Sequence, residues 1–538
     1  MRERGTVVLP AVAGVASVAL GAGIGELVAA LFVPSASPVA VIGGALIDAA
    51  PSWAKDAAIA LFGTADKIAL VVGIALVLVV VAGGAGVLEV RRPPWGSLVL
   101  GLLGAVGAVV ALTRADAGGM AWLPSAVAGL VAAFTLRALA RLMPRAQADS
   151  GPLVERGREA PETKRPDSGP LVERGREAPE TKRPDRRAFL GWTIAAAAAG
   201  ALSAIAASAL QAGRQAASAV RDAITLPRPS ATAPPVPAGA ELGVDGLAPL
   251  ITPNEQFYRI DTALIVPSVA TQDWSLRIHG MVEREVTLTW DELLALPLEE
   301  STTTLACVSN TVGGDLIGNA LWLGYPIREL LARAVPSADA DMVLSRSIDG
   351  FTASTPLEVL TDDRAAILAV GMNGEPLPAE HGFPVRMVVP GLYGYVSATK
   401  WVTELEVTRF DATTAYWTTR GWSERGPIKL QSRIDVPRPG AQVAAGDTVI
   451  AGVAWQQHVG VAGVEVQIDE GSWQAATLAT AISDDTWVQW SLPWTPESGD
   501  HTIRCRALSA DGTTQTADTA PPAPDGATGH HTIHVTVA

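Results

Sequence analysis

Cysteine is almost absent: 538 residues carry two, Cys307 and Cys505. That excludes a disulfide scaffold, and one bridge is the most that could form. No Cys-x-x-Cys occurs, so a zinc ribbon, a dithiol redox motif and a Cys-x-x-Cys-His haem attachment are excluded with it. Charge is scarce too, at 17% of residues where about 25% is usual for soluble domains. The net charge of −14 removes the general electrostatic case for nucleic-acid binding. What the chain has instead is apolar surface to bury: 49% hydrophobic residues and a mean hydropathy of +0.27. Its length is too great for one ordinary domain.

The hydrophobicity is concentrated in the first 210 residues. A membrane-crossing helix needs about 20 apolar residues, and five segments qualify: 6–33, 68–90, 95–113, 122–142 and 188–210. Ala/Val/Leu/Gly runs satisfy their backbone in lipid only as helices. The segment 38–63 is apolar but interrupted by Asp48, Lys55 and Asp56, and reads as an interfacial or re-entrant helix pair. Arginine placement sets the topology. Arg2 and Arg4 precede the first span, Arg91 and Arg92 separate the second and third, and Arg137, Arg141 and Arg145 close the fourth. With the N-terminus cytoplasmic, five spans put everything after about residue 211 outside the cytoplasm.

Residues 1–145 thus form a four-span region. A linker over 146–187 contains an exact tandem duplication, SGPLVERGREAPETKRPD, at 150–167 and 168–185. Such Pro-, Glu- and Arg-rich sequence cannot bury a core and is expected to be disordered. It runs into Arg186-Arg187-Ala188-Phe189-Leu190 and the fifth helix, 188–210. Arg-Arg-x-Phe-Leu before a moderately apolar helix resembles a twin-arginine export signal, a route that carries folded proteins. A proline-rich stretch within 211–244 then predicts a stiff, extended spacer.

From 245 to 412 short strands mix with short helices, the texture of an α+β domain. Residues 274–282 alternate as a strand, 285–288 and 301–307 favour strands, 326–334 a helix, 385–389 an apolar strand containing Arg386, and 401–407 another alternating strand. Thr289 and Glu292 stand at capping-box spacing ahead of a helix from Trp290. From 427 to 538 only short alternating segments remain, over 448–453, 464–468, 487–492, 501–507 and 531–537, which predicts an immunoglobulin-like β-sandwich.

Cys307 is the residue with chemical potential. It lies in Thr304-Leu-Ala-Cys-Val-Ser-Asn310 ahead of Gly313-Gly314 and Ile317-Gly318-Asn319. Four readings are open from the residues alone. It could be a buried core cysteine, a disulfide partner of Cys505, a nucleophile, or a soft ligand for a redox metal.

Several ordered segments bear on that choice: WSLRIHGMVEREVTLTWDELLALP, TLACVSN, IGNALWLGYPIRELL and NGEPLPAEHGFPVRMVVPGLYGYVSATKW. Together, over about 253–410, they resemble the sulfite oxidase family of molybdopterin enzymes, and the sandwich resembles that family's dimerisation domain. The resemblance implies a molybdenum–molybdopterin cofactor with Cys307 as the metal ligand. It implies cofactor contacts from Tyr258 and Arg259, from His381 and Arg386, and from Ser397, Thr399 and Lys400 in the loop near the pterin phosphate. An arginine suits a phosphate because its planar fork donates two charge-assisted hydrogen bonds. His279 reads as structural. The five spans make the expected oxidoreductase membrane-anchored, and the resemblance of the sandwich implies a homodimer formed through it.

This sequence departs from the family pattern where sulfite would bind. Arginines usually follow the cysteine, but here Thr311 and Val312 follow Asn310. An expected tyrosine ahead of Met372-Asn373-Gly374 is replaced by Val370 and Gly371, and Asp261 stands where histidine is common. A site short of cations binds a dianion poorly. Sulfite oxidation and reduction of an S- or N-oxide therefore both remain open, as does a non-catalytic surface binding module. With no haem motif in the chain, electrons are expected to pass to a separate partner or through a membrane cofactor that no motif marks, and the substrate is expected to be a small oxyanion or oxide.

Overall fold

In the computed structural model, residues 2–33, 36–49, 66–114, 119–143, 186–214, 221, 224–263 and 265–538 are described. The tandem repeat and the second half of the 38–63 segment lie outside them. The chain divides into two compact units, one of long helices and one of sheets.

Among the described residues, five helices are long and apolar enough to cross a membrane: α1 (Arg2–Phe32), α3 (Asp66–Arg91), α4 (Trp95–Leu112), α5 (Leu123–Leu142) and α6 (Arg186–Arg214). They match the five segments expected from hydropathy and make this a multi-pass chain. A sixth helix, α2 (Pro38–Ala49), is too short to span. The long helices meet where they carry glycine. A Cβ on Gly14 of α1 would strike the Ala82 carbonyl of α3, and one on Gly23 would strike Gly200 of α6. Gly104 of α4 and Gly129 of α5 abut each other in the same way. Lipid offers no hydrophobic drive for helix association, so close backbone approach through small residues supplies the packing. At the α3–α4 turn, buried Glu89 accepts a 2.7 Å hydrogen bond from the Ser97 amide, one of the otherwise orphaned donors at a helix start.

The other unit begins with two sheets. One runs β2 (Val286–Thr289), β1 (Ser275–Gly280), β10 (Val402–Thr408), β5 (Met342–Ser347), β6 (Thr352–Pro356). The other runs β3 (Glu299–Ala306), β4 (Ile317–Pro326), β7 (Ile367–Met372), β8 (Glu375–Pro376), with β9 (Arg386–Val388) also on β7. Short helices α7 (Trp290–Leu294), α8 (Ile327–Ala334), α9 (Leu357–Thr361) and α10 (Gly394–Ser397) connect them, which is the expected α+β architecture. The capping box expected at Thr289 forms in full, each residue's side chain bonding the other's backbone N–H. Packing around Trp274, Trp290, Trp401 and Leu405 joins the first sheet to its helices.

The C-terminal part is a two-sheet sandwich, β11 (Gln431–Val436), β13 (Thr448–Trp455), β17 (Val488–Trp494), β16 (Thr477–Leu478) facing β12 (Gln442–Val443), β19 (His531–Val537), β18 (Gly499–Ser509), β14 (Val461–Ile468), β15 (Gln474–Ala475). Its core holds Ile450, Val466, Trp490, Ile503 and Cys505. The two cysteines are both free and buried, so the disulfide reading of Cys307 does not hold. Instead, Cys505 accepts a hydrogen bond from Ser432 at 3.2 Å.

The proline-rich stretch is extended as expected, but it is docked rather than a free spacer. The Ser230 amide donates to Leu298 O (2.7 Å) and the Glu300 amide donates to Ala231 O (2.9 Å), so it lies along β3.

Candidate active site

Strand β3 delivers Cys307 to the start of a tight loop. The Cys307 amide donates to Leu316 O (2.9 Å), the Asn310 amide donates to Cys307 O (3.1 Å), and the Asn310 side chain accepts from the Leu316 amide (3.0 Å). Asn310 therefore braces the loop. Cys307 is 8% exposed. Burial pushes its pKa up, while hydrogen bonds from the Ser309 amide and hydroxyl and the charge of Lys400 pull it down.

Tyr258, Arg386 and Lys400 line one pocket with Cys307. Arg386 enters from β9, where its neighbours Val385, Met387, Val388 and Val389 are fully buried. Its Nη1 donates to His381 O at 3.0 Å, and its guanidinium lies 5.0 Å from the Trp322 ring centre. Among the described residues no carboxylate pairs with it, and burial lowers its pKa to about 10. Lys400 is paired: Nζ donates to Asp261 Oδ2 and to Glu380 O, each at 2.9 Å. Asp261 also accepts from Arg259 Nε at 3.0 Å. Burial is the main cause that brings Lys400 down to about 8, against the opposing pull of Asp261.

The remaining candidates are close by in the chain but placed differently. His381 is buried, with Nε2 2.9 Å from Asn254 O and Nδ1 without a partner. Burial first, then Lys400, lowers its pKa to about 4, which keeps it neutral. Arg259 leaves Nη2 buried and unbonded. The Ser397 hydroxyl is occupied by Leu392 O and Tyr393 O, and the Thr399 hydroxyl by Ser345 at 2.7 Å. Those two side chains are therefore internal to the fold, and of that loop Ala398 and Lys400 line the pocket. His279 sits away on β1, 2.6 Å from Glu404 of β10.

Sequence reading missed part of the pocket wall, notably Ser347, Asp349 and Phe351 from the β5–β6 hairpin, and Trp417 and Trp422 from the segment after β10. Trp422 packs on Tyr395 and Trp417 with ring centres 5.9 and 6.1 Å apart. The available signal was the density of aromatics in Tyr416-Trp417 and Trp422. The Ser347 hydroxyl and the Trp422 indole N–H are buried without partners.

A buried guanidinium with no carboxylate partner among the described residues, together with the unpartnered buried His381 Nδ1 and Arg259 Nη2, suits an anionic group with many acceptors. The neighbouring thiol suits a soft metal. The donor set fits a molybdopterin cofactor carrying molybdenum.

Comparison with known proteins agrees. Residues 263–417 match the family model described as an oxidoreductase molybdopterin binding domain. The chain is thus a molybdopterin-dependent oxidoreductase by class. It is 31% identical over 289 residues to the mitochondrial sulfite oxidase of Drosophila melanogaster, covering 45% of this chain and 50% of that one. It is 29% identical over 320 residues to the sulfite oxidase of Gallus gallus, covering 50% of this chain and 69% of that one. The chain is also 31% identical over 153 residues to the uncharacterized oxidoreductase YuiH of Bacillus subtilis, covering 28% of this chain and 74% of that one. A solved structure, the sulfane dehydrogenase SoxCD from Paracoccus pantotrophus, covers 51% of this chain and 76% of that one at TM-score 0.45 and 24% identity. This chain belongs to the sulfite oxidase family of molybdopterin-binding oxidoreductases. It spans about half the length of the fly relative.

Proposed function

We propose that the chain is a membrane-anchored, extracytoplasmic oxidoreductase that moves an oxygen atom to or from a small uncharged S- or N-oxide rather than the sulfite dianion. When bound, the cofactor supplies two-electron oxygen-atom transfer at molybdenum. Cys307 would hold the metal. Arg386, Lys400, Tyr258, Arg259 and His381 would hold and orient the pterin and its phosphate, with the 397–400 loop contributing backbone. In the reductive direction the S–O or N–O bond breaks, and the oxygen leaves as water with two protons and two electrons from a one-electron carrier protein.

The pocket's charge balance carries the substrate reading. Lys400 is already neutralised by Asp261, Arg386 is the cation suited to the cofactor, and the wall beyond them is Asp349 with Phe351, Trp417 and Trp422. An aromatic wall with a carboxylate disfavours a dianion and accepts an uncharged or dipolar molecule. The chain has no histidine before His279, so the helices lack the imidazole ligands of a bis-histidine haem. That supports a separate electron partner meeting the sheet domains. The Arg186-Arg187 motif and the arginine bias support export of the folded domain, and the sandwich supports a homodimer.

The test is detergent-purified protein assayed for molybdenum and pterin. Its turnover is then measured with dimethyl sulfoxide and reduced methyl viologen, and with sulfite and ferricyanide. Oxide reduction exceeding sulfite oxidation is the expected result. Sulfite turnover alone would reverse the substrate assignment, and protein free of molybdenum after expression with molybdate would leave the binding module as the better reading.

A further inference from the structure

The strand that carries Cys307 is the edge of its sheet, order β3-β4-β7-β8. Edge strands expose unpaired backbone groups that must be covered. At Thr304, three residues ahead of the cysteine, the cover comes from the sandwich. The Thr304 amide donates to Asp485 O at 3.0 Å, and Thr304 O accepts from Gln457 Nε2 at 3.0 Å. Thr304 Oγ1 accepts from the Trp487 amide at 2.8 Å while donating to Asn319 Oδ1 at 2.9 Å. The loop beyond the cysteine is held from the same side. Arg433 Nη1 donates to Gly314 O at 2.8 Å, and Gly313 lies so close to the His531 ring that a Cβ there would collide with it. Thr304 and Asn319 are fully buried, Gln457 is 2% exposed and Arg433 9%.

From this geometry we infer that the sandwich sets the position of the Cys307 sulfur, with Gln457 and Arg433 as positioning residues acting through the backbone on either side of it. The cysteine has no side-chain freedom beyond χ1, so its sulfur goes where residues 304–314 put it. A soft-metal ligand displaced by a fraction of an ångström changes both the strength of the metal site and its chemistry. The inference rests on the proposed reading of Cys307 as the metal ligand.

The experiment compares Gln457→Leu with Ser432→Ala in the full-length chain. Gln457→Leu removes the donor to Thr304 O. Ser432→Ala also breaks a buried hydrogen bond, 2.8 Å to Gln515, but one wholly inside the sandwich. Iodoacetamide labelling of cofactor-free protein, located at Cys307 by mass spectrometry, reads the thiol directly. In holoenzyme the same variants are followed by molybdenum content, kcat and KM. Gln457→Leu should change the Cys307 labelling rate and lower kcat by about tenfold or more, leaving KM within about twofold. Ser432→Ala should change neither, even at an equal fall in Tm. Wild-type labelling in Gln457→Leu, or equal effects of the two variants, would overturn the inference. Should Gln457→Leu fail to fold, Arg433→Met is judged by the same readouts. A shifted labelling rate in a chain whose wild type reduces no oxide supports the positioning role while removing the proposed function.

Discussion

The ammonium of Lys400 and the carboxylate of Asp261, 139 positions apart in sequence, meet at 2.9 Å with both side chains at most 10% exposed. Arg259 shares the same carboxylate oxygen at 3.0 Å. Asp261 thus stands between two cations at the rim of the pocket, and it accounts for charge that would otherwise repel Arg386.

Asp261→Asn should therefore destabilise the chain. It leaves a buried ammonium uncompensated, and breaking such a pair by removing one partner costs about 3–5 kcal/mol. Thermal unfolding in detergent would show the loss. Lys400→Met combined with Asp261→Asn should recover much of it, and a double variant no better than the single would refute the pairing as the cause.

Cys307→Ser should abolish oxygen-atom transfer while pterin content changes less, because a hydroxyl cannot replace a soft thiolate ligand. Cys505→Ser should be close to neutral in activity, since that thiol is enclosed in the sandwich core. Arg386→Ala should show the opposite pattern to Cys307→Ser, with pterin and molybdenum lost together while the thiol survives. Equal pterin retention in Arg386→Ala and wild type would remove the cofactor role given to this guanidinium.

Stability should fall in mild acid. His531 is held near 4 by burial, with Arg433 adding to the effect, against an ordinary value of 6.5. Between those values the unfolded chain takes up a proton that the folded chain refuses, so stability is present above about 6.5 and is lost as pH falls toward 4. His381, also held near 4, acts in the same direction. His531→Gln, whose amide oxygen can still accept from the Ile434 amide, should flatten the dependence of Tm on pH between 6.5 and 4.5. An unchanged slope would show that His531 does not contribute.

Two experiments test the topology. A reporter active only in the cytoplasm, fused after Ala538, should be silent. Arg186→Lys with Arg187→Lys should leave the first four helices inserted while the sheet domains are retained in the cytoplasm or degraded. Normal surface exposure of that variant would leave only the ordinary arginine bias at this helix.

Much of the fold is legible where one periodicity dominates. The five long helices follow from apolar length, α7 from Thr289 and Glu292, and the sandwich strands from alternation of the kind seen in β18. Strand β4 was not legible, because nine of its ten residues are buried and burial on both faces erases alternation. The pocket was half legible. Cys307, Arg386 and Lys400 sit in motifs, but Asp349, Trp417 and Trp422 reach the site only through tertiary folding. Ser397 and Thr399 look equivalent to Lys400 in the sequence. Their hydroxyls differ because Ser397, at the end of α10, bonds back onto Leu392 and Tyr393, and Thr399 beyond it bonds Ser345 of β5.

The fastening of Thr304 has a consequence for the order of events during synthesis. Its partners arrive late: Gln457 is 153 residues further along the chain and Trp487 183. Until a ribosome has passed those codons, the strand leading to Cys307 has an open side and the pocket lacks its final shape. A pocket able to hold a ligand at Cys307 is thus a product of residues up to Trp487, and no shorter N-terminal piece of the sheet unit has it.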